Sequence, residues 1–303
     1  MERRDFLKLL LGTGGGLLLP SIDSLWSGEQ VGAEPNLPAL AVATGSVPTR
    51  TTVAAIQALG GMKRFIKTGD VVVVKPNIGW DRTPEQAADT NPEVVATIVA
   101  LCLEAGAKQV KVFDNSVNDP RRTYTRSGIA EAVRKAGASV LYVDHSKFKD
   151  MKIPGGEALK SWPIYTEVME ADKLINVPIG KQHGLSKLTL GLKNWMGAIG
   201  GRRSLLHQQI DLALADLATV IKPHLVVLDA IRILVANGPQ GGSPKDVRNT
   251  NTIVAGTDQV AVDSYGATLF GLKGSDLGYL REAQSRGLGQ LDYRRLSMKT
   301  VSA

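Results

Sequence analysis

Short, fully apolar, β-branched runs alternate along this chain with helical segments, and that alternation restricts the fold more than any other feature. Val71-Val72-Val73-Val74 is the clearest run, bounded by Gly69-Asp70 and Pro76-Asn77. A strand apolar on both sides of its pleat has to be covered on both sheet faces, which is the signature of a buried parallel strand. Leu40 to Ala43 reads as an earlier strand, followed by a helix from Thr51 to Leu59. Pro92 to Ala105 reads as a long helix with Asn91 as its N-cap, Pro92 at its first position and Gly106 just past its end. Val110 to Phe113 is the next strand, then a helix from about Gly128 to Ala136 and a strand at Val140 to Val143.

The rhythm resumes at Lys173 to Val177, a strand ending in Pro178. A periodic helix is expected over Leu205 to Ile221, strands at Leu225 to Leu228 and Thr252 to Ala255, and a helix from about Gln259 to Leu269. Strand and helix in turn predict an α/β fold with a mainly parallel central sheet flanked by helices. The polar stretch 144–165, with Pro154-Gly155-Gly156, breaks the pattern and reads as a loop or hairpin excursion.

The N-terminus is set apart. Arg3-Arg4-Asp5-Phe6-Leu7-Lys8 precedes an apolar run to Leu19 that is broken by Gly12, Gly14, Gly15 and Gly16. The run falls short of the roughly 20 apolar residues that a spanning helix needs. It reads as a twin-arginine export signal over residues 1–33, with small residues Val31-Gly32-Ala33 at the cleavage positions. The expected organisation is this signal followed by a single α/β domain over residues 34–303. The expected location is the periplasm or another extracytoplasmic space, with a membrane tether if the signal stays attached. No later segment is long and apolar enough to span a bilayer.

Charge narrows the partners. Three of the 36 basic and four of the 29 acidic side chains fall in residues 1–33, so the remainder carries a net +8. That balance suits an anionic small molecule. Aromatic residues make up 5% of the chain, and it has no stacking ladder, helix-turn-helix or zinc-finger spacing, which argues against nucleic acid. Cys102 is the only cysteine. One thiol forms no internal disulfide and supplies neither an iron–sulfur cluster nor a covalent haem attachment. Its setting, Val99-Ala100-Leu101-Cys102-Leu103, marks it as a small buried hydrophobe.

Ligands of open α/β sheets bind beyond the carboxyl ends of the strands. The residues there are Lys75 and Asn77, then Asp114, then Lys181 and His183, then Asp229, with Asn237 in the loop that follows. The densest segment runs from Lys181 to His207 and includes Lys193, Asn194, Arg202 and Arg203 among apolar residues and glycines. Cations and amide donors of this kind suit a phosphate or carboxylate. The candidate ligand-binding residues are therefore Lys75, Asn77, Asp114, Lys181, Asn194, Asp229 and Asn237. His183, His207 and Lys193 are the candidates for proton transfer. Each has a plainer alternative: Asp114 and Asp229 as caps, Asn77 and Asn237 as turn residues, the lysines as a solvated face. His183, His207 and Asp229 could form a metal set, but no metal-binding signature is present and the neighbouring cations disfavour one.

These segments together resemble the family called domain of unknown function 362. The resemblance rests on Val74-Lys75-Pro76-Asn77, Thr90-Asn91-Pro92-Glu93-Val94-Val95, Phe113-Asp114-Asn115 and Asn176 to Gly184. It extends through Leu192-Lys193-Asn194-Trp195-Met196-Gly197 to His207, then Asp229, Asn237-Gly238-Pro239 with Gly241, and Asp258 to Asp263. It implies no established reaction. Some members carry a ferredoxin-like cluster domain; this chain lacks the cysteines for one, and little sequence remains for it after Gly271. An electron-transfer role would therefore call for a separate redox partner or a non-covalent cofactor. Three functions remain open: an exported enzyme with a basic crevice for an anionic molecule, a periplasmic accessory subunit of a redox complex, and a metal-binding protein.

Overall fold

The computed structural model describes residues 37–303. The Arg3-Arg4 motif, the apolar run and the small residues near Ala33 lie outside the described residues. All the elements below fall within Pro38–Ala303.

The first half follows a βαβ course. β1 (Leu40–Thr44) leads to α1 (Pro48–Ala58) and β2 (Val71–Pro76), then α2 (Pro92–Glu104), β3 (Gln109–Val112), α3 (Pro120–Arg126), α4 (Ile129–Lys135) and β4 (Ser139–Val140). β5 (Phe148–Lys152) and β6 (Ser161–Tyr165) form a separate antiparallel pair, the excursion expected near 144–165. After α5 (Thr166–Glu170) come β7 (Lys173–Val177), β8 (Ile179–His183), β9 (Lys187–Thr189) and the one-turn α6 (Gly191–Asn194). The chain closes with α7 (Ile210–Val220), β10 (Leu225–Leu234), β11 (Val247–Gly256), α8 (Gln259–Thr268), α9 (Gly278–Ser285) and β12 (Met298–Ser302).

The main sheet has the order β12-β1-β11-β10-β7-β2-β3-β4, with β8 and β9 branching from β10. β10, β7, β2, β3 and β4 are all mutually parallel, and β11 runs antiparallel between β1 and β10. Val72 and Val74 point into one apolar cluster and Val73 into the other, as a period-2 strand covered on both faces must. α1, α2 and α4 cover one face. α7, α8, α9 and the β5–β6 hairpin cover the other.

Several boundaries differ from the sequence reading. The helix expected from Leu205 begins at Ile210, and a 3₁₀ turn occupies Arg203–Gln209. The strand expected at Val140–Val143 covers only Ser139–Val140, at the sheet edge beside β3. β10 and β11 each run to ten residues instead of four, since they pair with one another beyond the apolar stretch and tolerate polar residues there. β8, β9 and β12 carry too many polar residues to announce themselves as strands.

Candidate functional site

After β2 the chain moves outward through β3 and β4, then returns to β7 on the other side of β2. This reversal opens a crevice at the carboxyl ends of the strands, the place where open sheets bind ligands. A cavity of about 520 Å³ lies there. It is lined by Asn77 beyond β2, Asp114 beyond β3, Lys181 and His183 of β8, Lys193 and Asn194 of α6, and Arg203 and His207 of the 3₁₀ turn.

The floor is a closed polar network. Lys75 is fully buried, and its Nζ lies 2.7 Å from Asp114 Oδ1. The same ammonium donates to Pro76 O at 2.8 Å and Asn194 Oδ1 at 3.1 Å. Asp114 Oδ2 accepts from the Ile78 amide. Asn194 Nδ2 donates to Lys75 O and Asn176 Oδ1, while its Oδ1 also accepts from Asn77 Nδ2. Asn77 Oδ1 in turn accepts from Lys181 Nζ at 2.9 Å. Burial lowers the affinity of Lys75 for its proton, and Asp114 offsets part of that loss. Gly197 closes over this pair: a Cβ there would collide with both Asp114 Oδ1 and Lys75 Nζ.

Two buried carboxylates outside the sequence-derived set complete the support. Asp89 accepts from the Trp80 amide, and burial raises its pKa. It is the chief charge opposing the desolvation of Lys181, whose pKa burial lowers. Asp263, on α8, accepts from the amides of Gly191 and Leu192 at 2.6 and 2.8 Å. It therefore fixes the start of the turn that carries Lys193 and Asn194. Burial pushes Asp263 up to about 7, against the pull of those two amides. Asp89-Thr90-Asn91 ahead of Pro92 reads as ordinary helix-start chemistry, which is why Asp89 gives no separate signal in the sequence.

The wall is less saturated. Lys193 is buried, yet among the described residues the one partner of its Nζ is Met196 Sδ at 3.3 Å. Desolvation first, and then Lys181 and Arg203, bring its pKa down to about 7. Arg203 donates to the carbonyls of Asn115, Met196 and Ser116, none of them an anion. Thr189 also lines the cavity, and its buried hydroxyl has no hydrogen-bond partner among the described residues. His183 and His207 stack with their planes 8° apart and centroids at 5.6 Å.

The two imidazoles carry opposite tautomers. His183 Nδ1 accepts from the amides of Leu185 and Ser186 at 3.1 and 3.2 Å, so the ring proton sits on Nε2. Burial, Lys193 and His207 hold its pKa down at about 3. His183 is thus a fixed hydrogen-bond donor rather than a base. His207 Nδ1 faces the Ser204 carbonyl at 3.3 Å, which only accepts, so Nδ1 carries the proton and Nε2 keeps its lone pair. Burial and Lys193 lower its pKa as well.

Of the sequence-derived residues, Asn77, Asp114, Lys181, His183, Lys193, Asn194 and His207 line the cavity, with Lys75 directly beneath it. Asp229 and Asn237 do not. Asp229 lies inside β10, because that strand continues to Leu234. Its carboxylate holds the N-cap residue of α2, accepting from the Asn91 amide at 2.7 Å and from the Ile231 amide at 3.0 Å. Burial raises its pKa to about 6. It joins neither histidine, and no group of three potential metal ligands gathers among the described residues. Asn237 takes a left-handed turn conformation and donates to Asp246; Pro239, two residues on, is what reaches the cavity. Arg203 is the missed cation: its charge was visible in the sequence, but a basic residue in a glycine-rich loop gives no sign of which way it faces.

The arrangement defines an α/β protein with a polar, cation-rich cavity at the reversal point of its sheet. The profile described as "Domain of unknown function (DUF362)" matches residues 72–268, and the chain belongs to that family. Among known proteins it is 28% identical over 216 residues to the thylakoid-associated protein sll1697 of Synechocystis sp.. The match covers 69% of this chain and 65% of that relative, so about a third of the relative has no counterpart in the aligned region. Two solved structures share 11% identity and a TM-score of 0.47. The lactate racemase apoprotein from Thermoanaerobacterium thermosaccharolyticum is one, with 72% of this chain and 54% of that chain covered. A protein from Thermotoga maritima is the other, with 75% and 60% covered. Likenesses at that level carry no shared role.

Proposed function

We propose that the protein is an enzyme that binds a small carboxylate- or phosphate-bearing molecule in this cavity and moves a proton on it. The observation that carries the reading is an imbalance of charge. Lys75 is matched by Asp114, and Lys181 is opposed by Asp89. Lys193 and Arg203 face the same space with no carboxylate bonded to either. A ligand anion would take the place of the missing counter-charge, forming charge-assisted hydrogen bonds that water supplies poorly in a half-closed site. His207 Nε2 is the proton acceptor, and the His183 Nε2–H is the donor that holds a ligand oxygen.

The accessory-subunit alternative expects an apolar docking face in place of a cavity lined by cations. The metal alternative loses its third ligand, because Asp229 is committed to α2. For location, the reading keeps the export signal and the extracytoplasmic destination. Among the described residues no helix is long and apolar enough to cross a membrane. The thylakoid association of sll1697 fits a protein working beside a membrane rather than within one.

Isothermal titration calorimetry with oxalate and with inorganic phosphate tests the binding claim. One of the two should bind, and Lys193→Met should weaken it at least about ten-fold, the loss expected for one charged hydrogen bond. Failure of both anions to bind the parent protein would overturn the reading.

A further inference from the structure

Lys193 differs from every other buried cation of the site in what surrounds its amine. Among the described residues, Nζ is hydrogen-bonded to a thioether sulfur and to no oxygen. It lines a cavity with room for a small molecule beside it. A lysine kept dry and placed among like charges holds a free lone pair at neutral pH, and such amines react with carbonyl carbon. The other parts needed for that reaction stand on the same wall. His207 offers an unprotonated Nε2 and His183 a fixed Nε2–H. Arg203 and Lys181 supply the positive field for a carboxylate on the same substrate.

We propose that Lys193 condenses through Nζ with the carbonyl carbon of a small oxo-acid held in the cavity, forming an imine. The inference rests on the anion-binding reading above and adds the substrate class, a carboxylate bearing an aldehyde or ketone. The Nζ lone pair forms the new C–N bond while the C=O π electrons move to oxygen. Nζ passes one proton to His207 Nε2, which delivers it to that oxygen, giving a neutral carbinolamine. The second Nζ proton follows the same route to the hydroxyl, the C–O bond breaks to release water, and the nitrogen lone pair forms C=N. Amine and carbonyl give imine and water, with nothing oxidised or reduced. His183 Nε2–H donates to the oxygen while it carries charge, and the positive neighbours that lower the proton affinity of Lys193 also favour the anionic oxygen.

The test is chemical trapping. The full protein is mixed with pyruvate or glyoxylate as probe, treated with sodium borohydride to convert any imine to a stable secondary amine, and analysed by intact mass and peptide mapping. The expected result is one adduct per chain, at Lys193. It should form at least ten-fold faster than at exposed Lys299, with a rate that climbs through about pH 7. An ordinary lysine near that pH is neutral in only about a thousandth of molecules. Lys193→Met should remove the adduct, and His207→Gln should slow its formation. Adducts spread over surface lysines, or a trapping rate unchanged in Lys193→Met, would overturn the imine. If oxalate binds while neither probe is trapped, the imine falls and the anion site stands. If oxalate and phosphate both fail to bind, the anion site falls and the imine falls with it.

Discussion

The floor and the wall of the cavity hold the same kinds of residue, yet they are built on opposite terms. On the floor, Lys75, Asn77 and Asn194 use their polar atoms on one another and on backbone groups. On the wall, Lys193, Thr189 and His207 each keep a polar atom with no oxygen or nitrogen partner among the described residues. Burying polar groups costs free energy unless they are paired. The floor avoids that cost by mutual satisfaction, and the wall bears it. A saturated network holds a shape, whereas an unsaturated one leaves capacity for something else to bind. Charge alone does not separate structure from chemistry here, because Lys75 and Lys193 are both buried cations a few elements apart.

The contrast is most open to attack at Lys75. Lys75→Met strands Asp114 as a buried charge without its counter-ion and should cost about 3–5 kcal/mol in denaturant unfolding. Lys75→Met combined with Asp114→Asn should regain a large part of that loss, since no lone charge remains. Lys193→Met should behave oppositely. Its folded pKa lies near 7, below the usual lysine value, so the wild type is penalised by protonation fully below about pH 7 and not at all above about 10.5. The variant should gain stability over the parent at pH 6 by more than about 1 kcal/mol and lose that advantage by pH 10.5. Equal costs for the two lysine variants would erase the distinction between floor and wall.

Asp263 sharpens it from the supporting side. Asp263→Ala leaves two buried amides unpaired at the start of α6, and a loss of about 3 kcal/mol is expected. The same change loosens the turn that aims Lys193, so anion affinity should fall along with stability. Asp263→Asn keeps one strong acceptor and should lose about half as much, read by the same unfolding titration.

How far the site was readable in sequence follows this division. The parallel strands announced themselves through apolar runs, and their carboxyl ends pointed to Lys75, Asn77, Asp114, Lys181 and His183, all of which sit in or beneath one cavity. The same rule misplaced Asp229. Its strand runs six residues past the apolar stretch, because pairing with β11 rather than hydrophobicity sets where β10 ends. The 3₁₀ turn at Arg203–Gln209 has the periodic look of the helix it leads into, so nothing local showed that it peels away to line the cavity. Asp89 and Asp263 were hidden for another reason. Asp89 stands just ahead of a helix start, where an aspartate is ordinary, whereas Asp263 lies in the second turn of α8; the role of each depends on what another segment brings to it.

The smallest effect comes from the stacked histidines and tests the assignment of their tautomers. Both rings line one cavity and both keep pKa values below the usual histidine range, so charge does not distinguish them. Their hydrogen bonds do. His183 Nδ1 holds two amides of the β8–β9 turn, and His183→Ala releases both at a cost of about 1–2 kcal/mol. His207 makes one long bond to a carbonyl at a partly exposed position, so His207→Gln should change unfolding free energy by less than about 0.5 kcal/mol. The tautomers themselves are read by nitrogen-15 chemical shifts. His183 should show a protonated Nε2 from pH 5 to 8, because its pKa near 3 keeps the ring neutral throughout. His207 should show a protonated Nδ1 over the upper part of that range. Finding both rings with the proton on the same nitrogen would remove the donor–acceptor pair on which proton transfer at the wall depends.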